Sequence, residues 1–392
     1  MAPRRKPTAK TPERERYGSI EGRSQWLSDV LRRRVWSYLP GSRLPGEREL
    51  AKQFRVSLRV ARRATEILAG EGLVHCRRGK GSVVVHEQLQ AMPVRRIIAI
   101  ISGGRQGSAA ETQAMLLGAH EDCTRRGRPF EVVRGDRLDL SQPDCLMSIV
   151  RGAGLPAEIG WMFVRLAPPP QVLDIWQTWR LAVVVVDDDP RLPGNAVNSD
   201  GQRAVGLAFE RAFLLGHRHI AYLGNTAGAA GESAGAPAAR WQGFGAACQR
   251  FGQRIDEKFV WRLESSDMAE PQPYLAERLS GELRPTAIIT ADQRIGCDGL
   301  AVCERLGIAV PGQISVISAG LERRDLPREL VSRLSRSSEG RPEKIGQLAT
   351  GLLLEAHQAL GPAKLLADCE WIDGDSLGPP PAGHPGGPRT LQ

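Results

Sequence analysis

The 392-residue sequence has no apolar run approaching the ~18 residues that a membrane-crossing helix needs, and its opening stretch, MAPRRKPTAKTPERER, has no hydrophobic segment behind its charges. No membrane span or secretory leader is expected, and the chain is placed in the cytoplasm. Cysteine is scarce and scattered: Cys76, Cys123, Cys145, Cys248, Cys297, Cys303 and Cys369 are odd in number and include no C-x-x-C pair. That spacing argues against a disulfide framework and supplies no zinc ligand set. Also missing are G-x-S-x-G, G-x-x-x-x-G-K-[ST], H-E-x-x-H and a G-x-G-x-x-G after a strand. No catalytic residue, metal or cofactor is assigned, and an enzyme is not expected. His217 and His219 stand at a helix–strand junction without an acid, thiol or ligand spacing beside them, and are read as structural.

The composition, 41% apolar and 25% charged, is that of an ordinary globular protein long enough for two or three cores. Charge is unevenly spread. Residues 1–95 carry 21 Lys+Arg against 9 Asp+Glu, a net of +12, which leaves −3 for the other 297 residues. A basic module joined to a near-neutral one implies that only the first meets a polyanion.

The basic module is organised around Leu44 to Val85. Glu47 to Phe54 reads as a short helix with Leu50, Ala51 and Phe54 on one face and Pro45 just ahead of it. Arg55-Val56 is the turn. Ser57 can cap a second helix, whose buried stripe is Val60, Ala64, Ile67 and Leu68. Arg59, Arg62 and Arg63 then fall at i, i+3, i+4 on the opposite face, where a major groove could meet them. Leu73-Val74 and Val83 to Val85 read as strands around a basic tip, Arg77-Arg78-Gly79-Lys80-Gly81. An Arg-rich amphipathic helix alone is more often only a solvated face; turn, cap and wing occurring together reverse that and favour DNA. Ahead of them, Arg23 to Leu39 forms the first helix, with Trp26, Leu27, Val30, Leu31, Val35, Trp36 and Leu39 inward.

The wording of this segment, LP-x-ERELA, then VS with an Arg-rich helix, then EGL and a G-x-G wing, resembles the GntR family over roughly the first quarter of the chain. The resemblance implies a winged helix-turn-helix with DNA contacts from Arg48, Ser57, Arg59, Val60, Arg62 and the wing at Gly79, Lys80 and Gly81; Arg63 and Arg78 join them from the charge pattern. Leu58 stands where many members carry Arg, so the operator sequence does not transfer.

From Arg96 onward short β-branched runs alternate with helical stretches: strands at Ile97 to Ile101, Trp161 to Leu166, Leu181 to Val186, His219 to Leu223, Ala287 to Ile289 and Ser315 to Ile317, with helices between. This is the pattern of parallel sheets covered on both faces. Ligands of such sheets sit beyond the carboxyl ends of the strands, where Arg105, Asp187, Asp292 and Glu322 fall. Asp187 can bind a ligand or hold its own loop. Asp292 can bind a ligand or cap the next helix.

FLLGHRHIAYLG, ARWQGFGAACQRFG and PTAIITADQRIGCDGLAVCERLGIAVPGQISVIS resemble the effector half of the LacI/GalR regulators. The resemblance implies a periplasmic-binding-protein-like fold of type I: two Rossmann-like parallel-sheet subdomains joined by three crossovers, closing on a small molecule and forming a homodimer. Arg240 matches that family's effector-clamping arginine, Asp292 the acid of its A-N-D segment, and Asp187 an acid often in the pocket. Ala291 replaces the usual Asn and Ser318-Ala319-Gly320 lacks a usual acid, two groups that commonly meet sugar hydroxyls.

The expected organisation is a flexible basic arm over 1–20, a winged helix-turn-helix over 21–85, a linker over 86–95, a two-lobed effector-binding and dimerisation domain over 96–375 and a disordered Pro/Gly-rich tail over 376–392. The expected function is a ligand-responsive, sequence-specific transcriptional regulator, by family default a repressor, whose partners are double-stranded operator DNA, a small-molecule effector such as a sugar or sugar derivative, and a second copy of itself. The alternative is a cytoplasmic solute-binding-like protein without sequence-specific DNA recognition.

Overall fold

The computed structural model describes residues 19–35, 38, 41–77, 81–85, 93–102, 109–150, 156–189, 191–226, 235–263, 270–281, 284–355 and 362–382. Its chain divides into two units: Met1–Val94 with Arg137–Ile159 and Pro168–Ala182, and Arg95–Asp136 with Gly160–Ala167 and Val183–Gln392. In chain order the elements are α1 (Ile20–Val35), α2 (Glu47–Phe54), α3 (Leu58–Gly70), β1 (Val74–Arg77), β2 (Gly81–Val84), β3 (Arg96–Ile101), α4 (Ala109–Arg125), β4 (Phe130–Arg134), β5 (Ile159–Val164), α5 (Pro170–Thr178), β6 (Ala182–Val186) and β7 (Asn195–Asn198). There follow α6 (Gly201–Leu214), β8 (Ile220–Gly224), α7 (Ala236–Arg250), β9 (Val260–Arg262), α8 (Gln272–Ser280), β10 (Ala287–Thr290), α9 (Gln293–Arg305), β11 (Ser315–Gly320), α10 (Arg328–Arg333), β12 (Ser335–Ser338), α11 (Pro342–Glu355), β13 (Lys364–Leu366) and β14 (Glu370–Ile372).

In the first unit the apolar periodicity closes a small three-helix core. Leu27, Leu31 and Val35 of α1, Leu50 of α2, and Val60, Ala64 and Leu68 of α3 are buried. Helix α1 starts earlier than its apolar pattern implies, and its inward face includes Ser24 and Ser28, whose hydroxyls donate to the carbonyls of Ile20 and Gln25 at 2.8 Å each. Trp26 is only half-buried and meets Phe54 edge-on at 6.3 Å. Trp36 and Leu39 lie outside the described residues. β1 and β2 pair antiparallel from Val74↔Val84 to Arg77↔Gly81, with Gly81 at φ +82°, a conformation that costs glycine little. In the same unit Trp179 at the end of α5 donates from Nε1 to the Tyr38 carbonyl at 3.2 Å.

The second unit contains two six-stranded sheets, ordered β13-β7-β6-β5-β3-β4 and β14-β12-β11-β10-β8-β9. The registered pairs are parallel except β12–β14, which is antiparallel. The chain passes between the sheets three times, after β7, after β12 and after β13. The crossings are tied to one another: Ala367 N–H donates to Asn198 O at 2.8 Å, and Cys369 Sγ reaches Asp200 O at 3.2 Å. His217 is fully buried and bonds Thr286 Oγ1 at 2.9 Å and Gly378 O at 2.7 Å, consistent with a structural role.

Composition alone gives a disordered tail from Ser376, and the structure corrects this for residues 376–382. The Ser376 side chain is buried, with its Oγ receiving the Ser335 N–H at 2.8 Å and donating to Val316 O at 2.5 Å. Such bonds outweigh a Pro/Gly-rich composition locally.

Helix α11 crosses back to pack on α4, and two glycines allow the approach. A Cβ on Gly346 would stand 1.9 Å from Met115 O, and one on Gly118 would stand 2.0 Å from Glu343 O. Backbone cannot yield as a side chain can. We therefore expect Gly346→Ala to cost about 1–3 kcal/mol of stability, seen in urea unfolding as a lower midpoint with an unchanged slope.

Candidate DNA reader and charged cleft

The helix pair of the reader turns on Arg55, which takes a left-handed conformation (φ 52°, ψ 42°) and returns its N–H to Lys52 O at 3.4 Å. Ser57 then caps α3, accepting from the Val60 N–H at 3.3 Å. This geometry exposes Arg48, Ser57, Leu58, Arg59, Arg62 and Arg63. Two of the arginines already hold acids: Arg62 Nε donates to Glu47 Oε2 at 3.1 Å and Arg63 Nη1 to Glu66 Oε2 at 3.3 Å. Exposed pairs like these contribute little and are readily exchanged. Val60 requires a correction. Its side chain is 1% exposed, turned into the helical core, and its N–H is taken by Ser57, so it cannot reach a base. Gly81 is exposed at the base of the wing, while Arg78, Gly79 and Lys80 lie outside the described residues.

The second cluster forms where both sheets of the second unit present the carboxyl ends of their strands. In one lobe, β5 ends at Val164 and Arg165 follows at φ 52°; β6 ends at Val186 and Asp187 follows at φ 53°. Two adjacent strand ends thus carry non-glycine residues in a sparsely populated conformation, each held by the next strand: Arg165 N–H donates to Val186 O and Asp187 N–H to Val197 O, both at 2.9 Å. Arg165 is thereby placed between two acids. Its Nη2 donates to Glu111 Oε2 at 2.7 Å and its Nε to Asp187 Oδ2 at 2.7 Å, while Ser199 Oγ donates to Asp187 Oδ1 at 3.0 Å.

Electrostatics follows the partner count. Burial pushes the Asp187 carboxyl up, but the charge and hydrogen bond of Arg165 outweigh it and leave the group below the usual carboxylate range. At Glu111 burial dominates, Arg165 compensates only in part and the charge of Asp292 works against ionisation, so that carboxyl is raised. Asp292 and Arg240, which belong to the other lobe, stand close enough for their charges to bear on the Glu111 carboxyl.

In that lobe Arg240, on α7, is paired to Glu339 just beyond β12: its Nε donates to Oε1 and its Nη2 to Oε2, the latter at 2.7 Å. Glu339 is fully buried and Arg240 nearly so. Glycine at 201, the start of α6, gives the pair its room, because a Cβ there would stand 2.8 Å from Arg240 Cγ and 3.1 Å from Glu339 Oε1. Asp292 caps α9 by accepting the Arg294 N–H at 2.7 Å, and its other oxygen stands 3.9 Å from Arg323 Nη1. Arg323 in turn holds Asp325, with Nε donating to Oδ1 at 3.0 Å.

The structure therefore brings Asp187, Arg240 and Asp292 to one cleft, and Arg105 falls outside the described residues. Sequence reasoning missed Glu111, Arg165, Arg323 and Glu339. Arg165 was hidden inside the expected strand Trp161 to Leu166, whereas the observed strand ends at Val164, and Glu111 looked like an ordinary helix-start acid. Among the described residues no cluster of three or more His, Cys, Asp or Glu has the arrangement to hold a metal ion, and no helix is long and apolar enough to cross a membrane.

These two features define a winged helix-turn-helix joined in one chain to a periplasmic-binding-protein-like fold. Residues 24–84 match the bacterial regulatory proteins of the gntR family, and residues 211–377 match the periplasmic binding protein-like domain. The chain thus joins a region of the gntR family of bacterial regulatory proteins to a periplasmic binding protein-like domain. The fold resembles transcription regulator CcpA of Lactococcus lactis (17% identity, 72% of this chain and 98% of that one, TM-score 0.55) and the transcriptional regulator CelR in complex with cellobiose (16%, 85% and 100%, 0.55). It also resembles the lac repressor dimer bound to operator and the anti-inducer ONPF (15%, 74% and 97%, 0.58). Comparison with curated protein sequences gives no match.

Removing Arg165 would strand two buried carboxylates. We expect Arg165→Met to cost about 3–5 kcal/mol near neutral pH. The lowered Asp187 value means that its favourable pairing is present above the ordinary Asp range, about 3.9, and is lost as pH falls through its folded value. The raised Glu111 carboxyl is protonated first on acidification. The stability gap between variant and wild type should therefore narrow below about pH 4, measurable as converging urea midpoints.

Proposed function

We propose that the protein is a repressor that reads a specific operator as a homodimer and changes its affinity for it when a small molecule closes the two-lobed cleft. The observation that carries this reading is the covalent joining of a groove-sized arginine helix, capped and flanked by a wing, to a cleft that draws charged side chains from both of its sheets. DNA binding starts at α3. Arg62 and Arg63 exchange weak surface partners for phosphates or guanine edges and Arg59 joins them, while the wing follows the neighbouring backbone. Two such readers related by a twofold axis require a roughly palindromic site with half-sites separated by whole helical turns, about 34 Å each.

Ligand chemistry couples to that geometry through the crossings. Arg240, Glu339 and Gly201 meet where the chain passes between lobes, so a molecule seated against them biases the angle between the lobes. A coupling of about 1–3 kcal/mol changes operator affinity about 5- to 150-fold, and DNA must alter ligand affinity by the same factor. The cellobiose complex of CelR supports a carbohydrate-type effector and regulation of a metabolic operon. The basic first 95 residues support a site of action beside DNA, in the cytoplasm.

Arg59→Ala or Arg62→Ala should weaken operator binding by about 1–3 kcal/mol where the residue contacts a base. Fluorescence anisotropy with a selected duplex and random competitor reads this; equal affinity for both duplexes in wild type would exclude specific recognition. Replacing the cleft pair together, Arg240→Gln with Glu339→Gln, avoids leaving a lone buried charge and should abolish ligand-induced release of the operator. A normal ligand response in that double variant would move the effector site elsewhere.

A further inference from the structure

The charged groups of the cleft are satisfied by one another. Arg165 is shared by Glu111 and Asp187, Arg240 is taken in forked fashion by Glu339, and Arg323 stands between Asp292 and Asp325. Each of these three arginines already holds a carboxylate, and within this cluster of described residues the four enclosed carboxylates Glu111, Asp187, Asp292 and Glu339 outnumber the three guanidinium groups. Two neutral buried groups beside Arg240 and Asp292 have an atom without a partner. Tyr222 Oη is fully buried and unbonded. It lies 3.2 Å from where a Gly224 Cβ would stand, at the carboxyl end of β8, and within the fields of Arg240 and Glu339. The Gln293 amide, next to Asp292, accepts the Arg323 N–H through Oε1 at 3.2 Å but leaves its Nε2 unbonded.

We infer that Glu339 is a resident carboxylate that occupies the anion position of Arg240, so that the cleft rejects acids and phosphates and takes an uncharged or amine-bearing polyhydroxyl molecule. Neutral hydroxyls match both halves of the site. They donate to carboxylate oxygens whose arginine bonds leave lone pairs free, and they bond the Tyr222 hydroxyl and the Gln293 amide, which otherwise lose the cost of burying an unpaired polar group. An incoming carboxylate would have to displace Glu339 and leave it buried without a partner, the unfavourable half of breaking an enclosed ion pair. An amino group adds complementarity to the acid excess.

This inference rests on the cleft being the effector site, and the test separates the two. Thermal unfolding of the full chain is followed in sodium gluconate against sodium chloride of equal ionic strength, and in glucose and glucosamine. Wild-type Tm should not respond to gluconate beyond the salt control. Glu339→Gln, with Arg240 freed, should gain a saturable rise of about 3 °C or more, and Arg240→Gln added to it should remove the gain. Should Glu339→Gln fail to fold, Glu339→Asp keeps the neutralising charge, draws the carboxylate back by one methylene and should show the same gain at weaker affinity.

A saturable gluconate response in wild type that the double variant lacks would overturn the proposal. So would a folded Glu339 variant that gains none. Operator release then distinguishes the readings. An acid that both stabilises wild type and releases DNA sinks the charge selection and leaves the sensor standing. A glucose or glucosamine response without any change in operator affinity supports the selection and sinks the sensor.

Discussion

A guanidinium withdrawn from water has to be accompanied by acceptors, because its desolvation is otherwise far larger than any single contact returns. That requirement organises the second unit. Arg165 and Arg240 are both nearly buried, and each fixes backbone from distant parts of the chain by the carboxylates it demands. Arg165 draws the start of α4 to the ends of β5 and β6; Arg240 draws α7 to the segment between β12 and α11. The strained residues at positions 165 and 187 follow from this. A left-handed conformation at Arg or Asp costs roughly 1–2 kcal/mol, and it persists here because it turns each side chain to face the other at hydrogen-bond distance.

How much of this is legible in the sequence depends on the range of the interaction that decides it. The α2 and α3 boundaries follow from residues three or four apart, since Ser57 caps within its own turn and the apolar stripe repeats locally; the expected second helix after Ser57 and the observed Leu58–Gly70 agree for that reason. The alternating strands were visible because buried parallel strands are continuous runs such as Val183 to Val186. The cleft was only half visible. Asp187, Arg240 and Asp292 were marked by their positions after strands or within recognisable wording, whereas Glu339 is 99 residues from its partner and sits in a segment, SRSSEGRP, with no periodic signal. The same limit explains Val60. An alignment of motif positions places it among DNA contacts, but its burial is decided by packing against other helices.

The three crossings turn this pairing into a mechanical arrangement. Asn198 to Gly201, Glu339-Gly340 and Ala367 to Cys369 are the three crossing segments, and the first and third are hydrogen-bonded to each other. Gly201 presses on the Arg240–Glu339 pair from one crossing while Glu339 itself belongs to another. A ligand need not push a lobe. Differential affinity for one hinge arrangement is sufficient to shift the population between arrangements, and the shift can be no larger than that difference.

The same chemical pair, arginine with glutamate, has opposite consequences at the two ends of the protein, and burial decides which. Arg62 and Glu47 keep 60% and 37% of their side-chain surface in water, whereas Arg240 and Glu339 keep 13% and 0%. An exposed pair contributes about 0–1 kcal/mol, so a phosphate backbone that offers several charges at once replaces Glu47 at little cost, and Glu47 regains its hydration on release. An enclosed pair costs about 3–5 kcal/mol to break by removing one partner, and the abandoned carboxylate has no water to return to. The reader is thereby left open to polyanions while the cleft is closed to small ones. On the proposed reading, that asymmetry lets the arginines of α3 answer to the charge density of a nucleic acid while Arg240 is insulated from small anions that would otherwise compete for it.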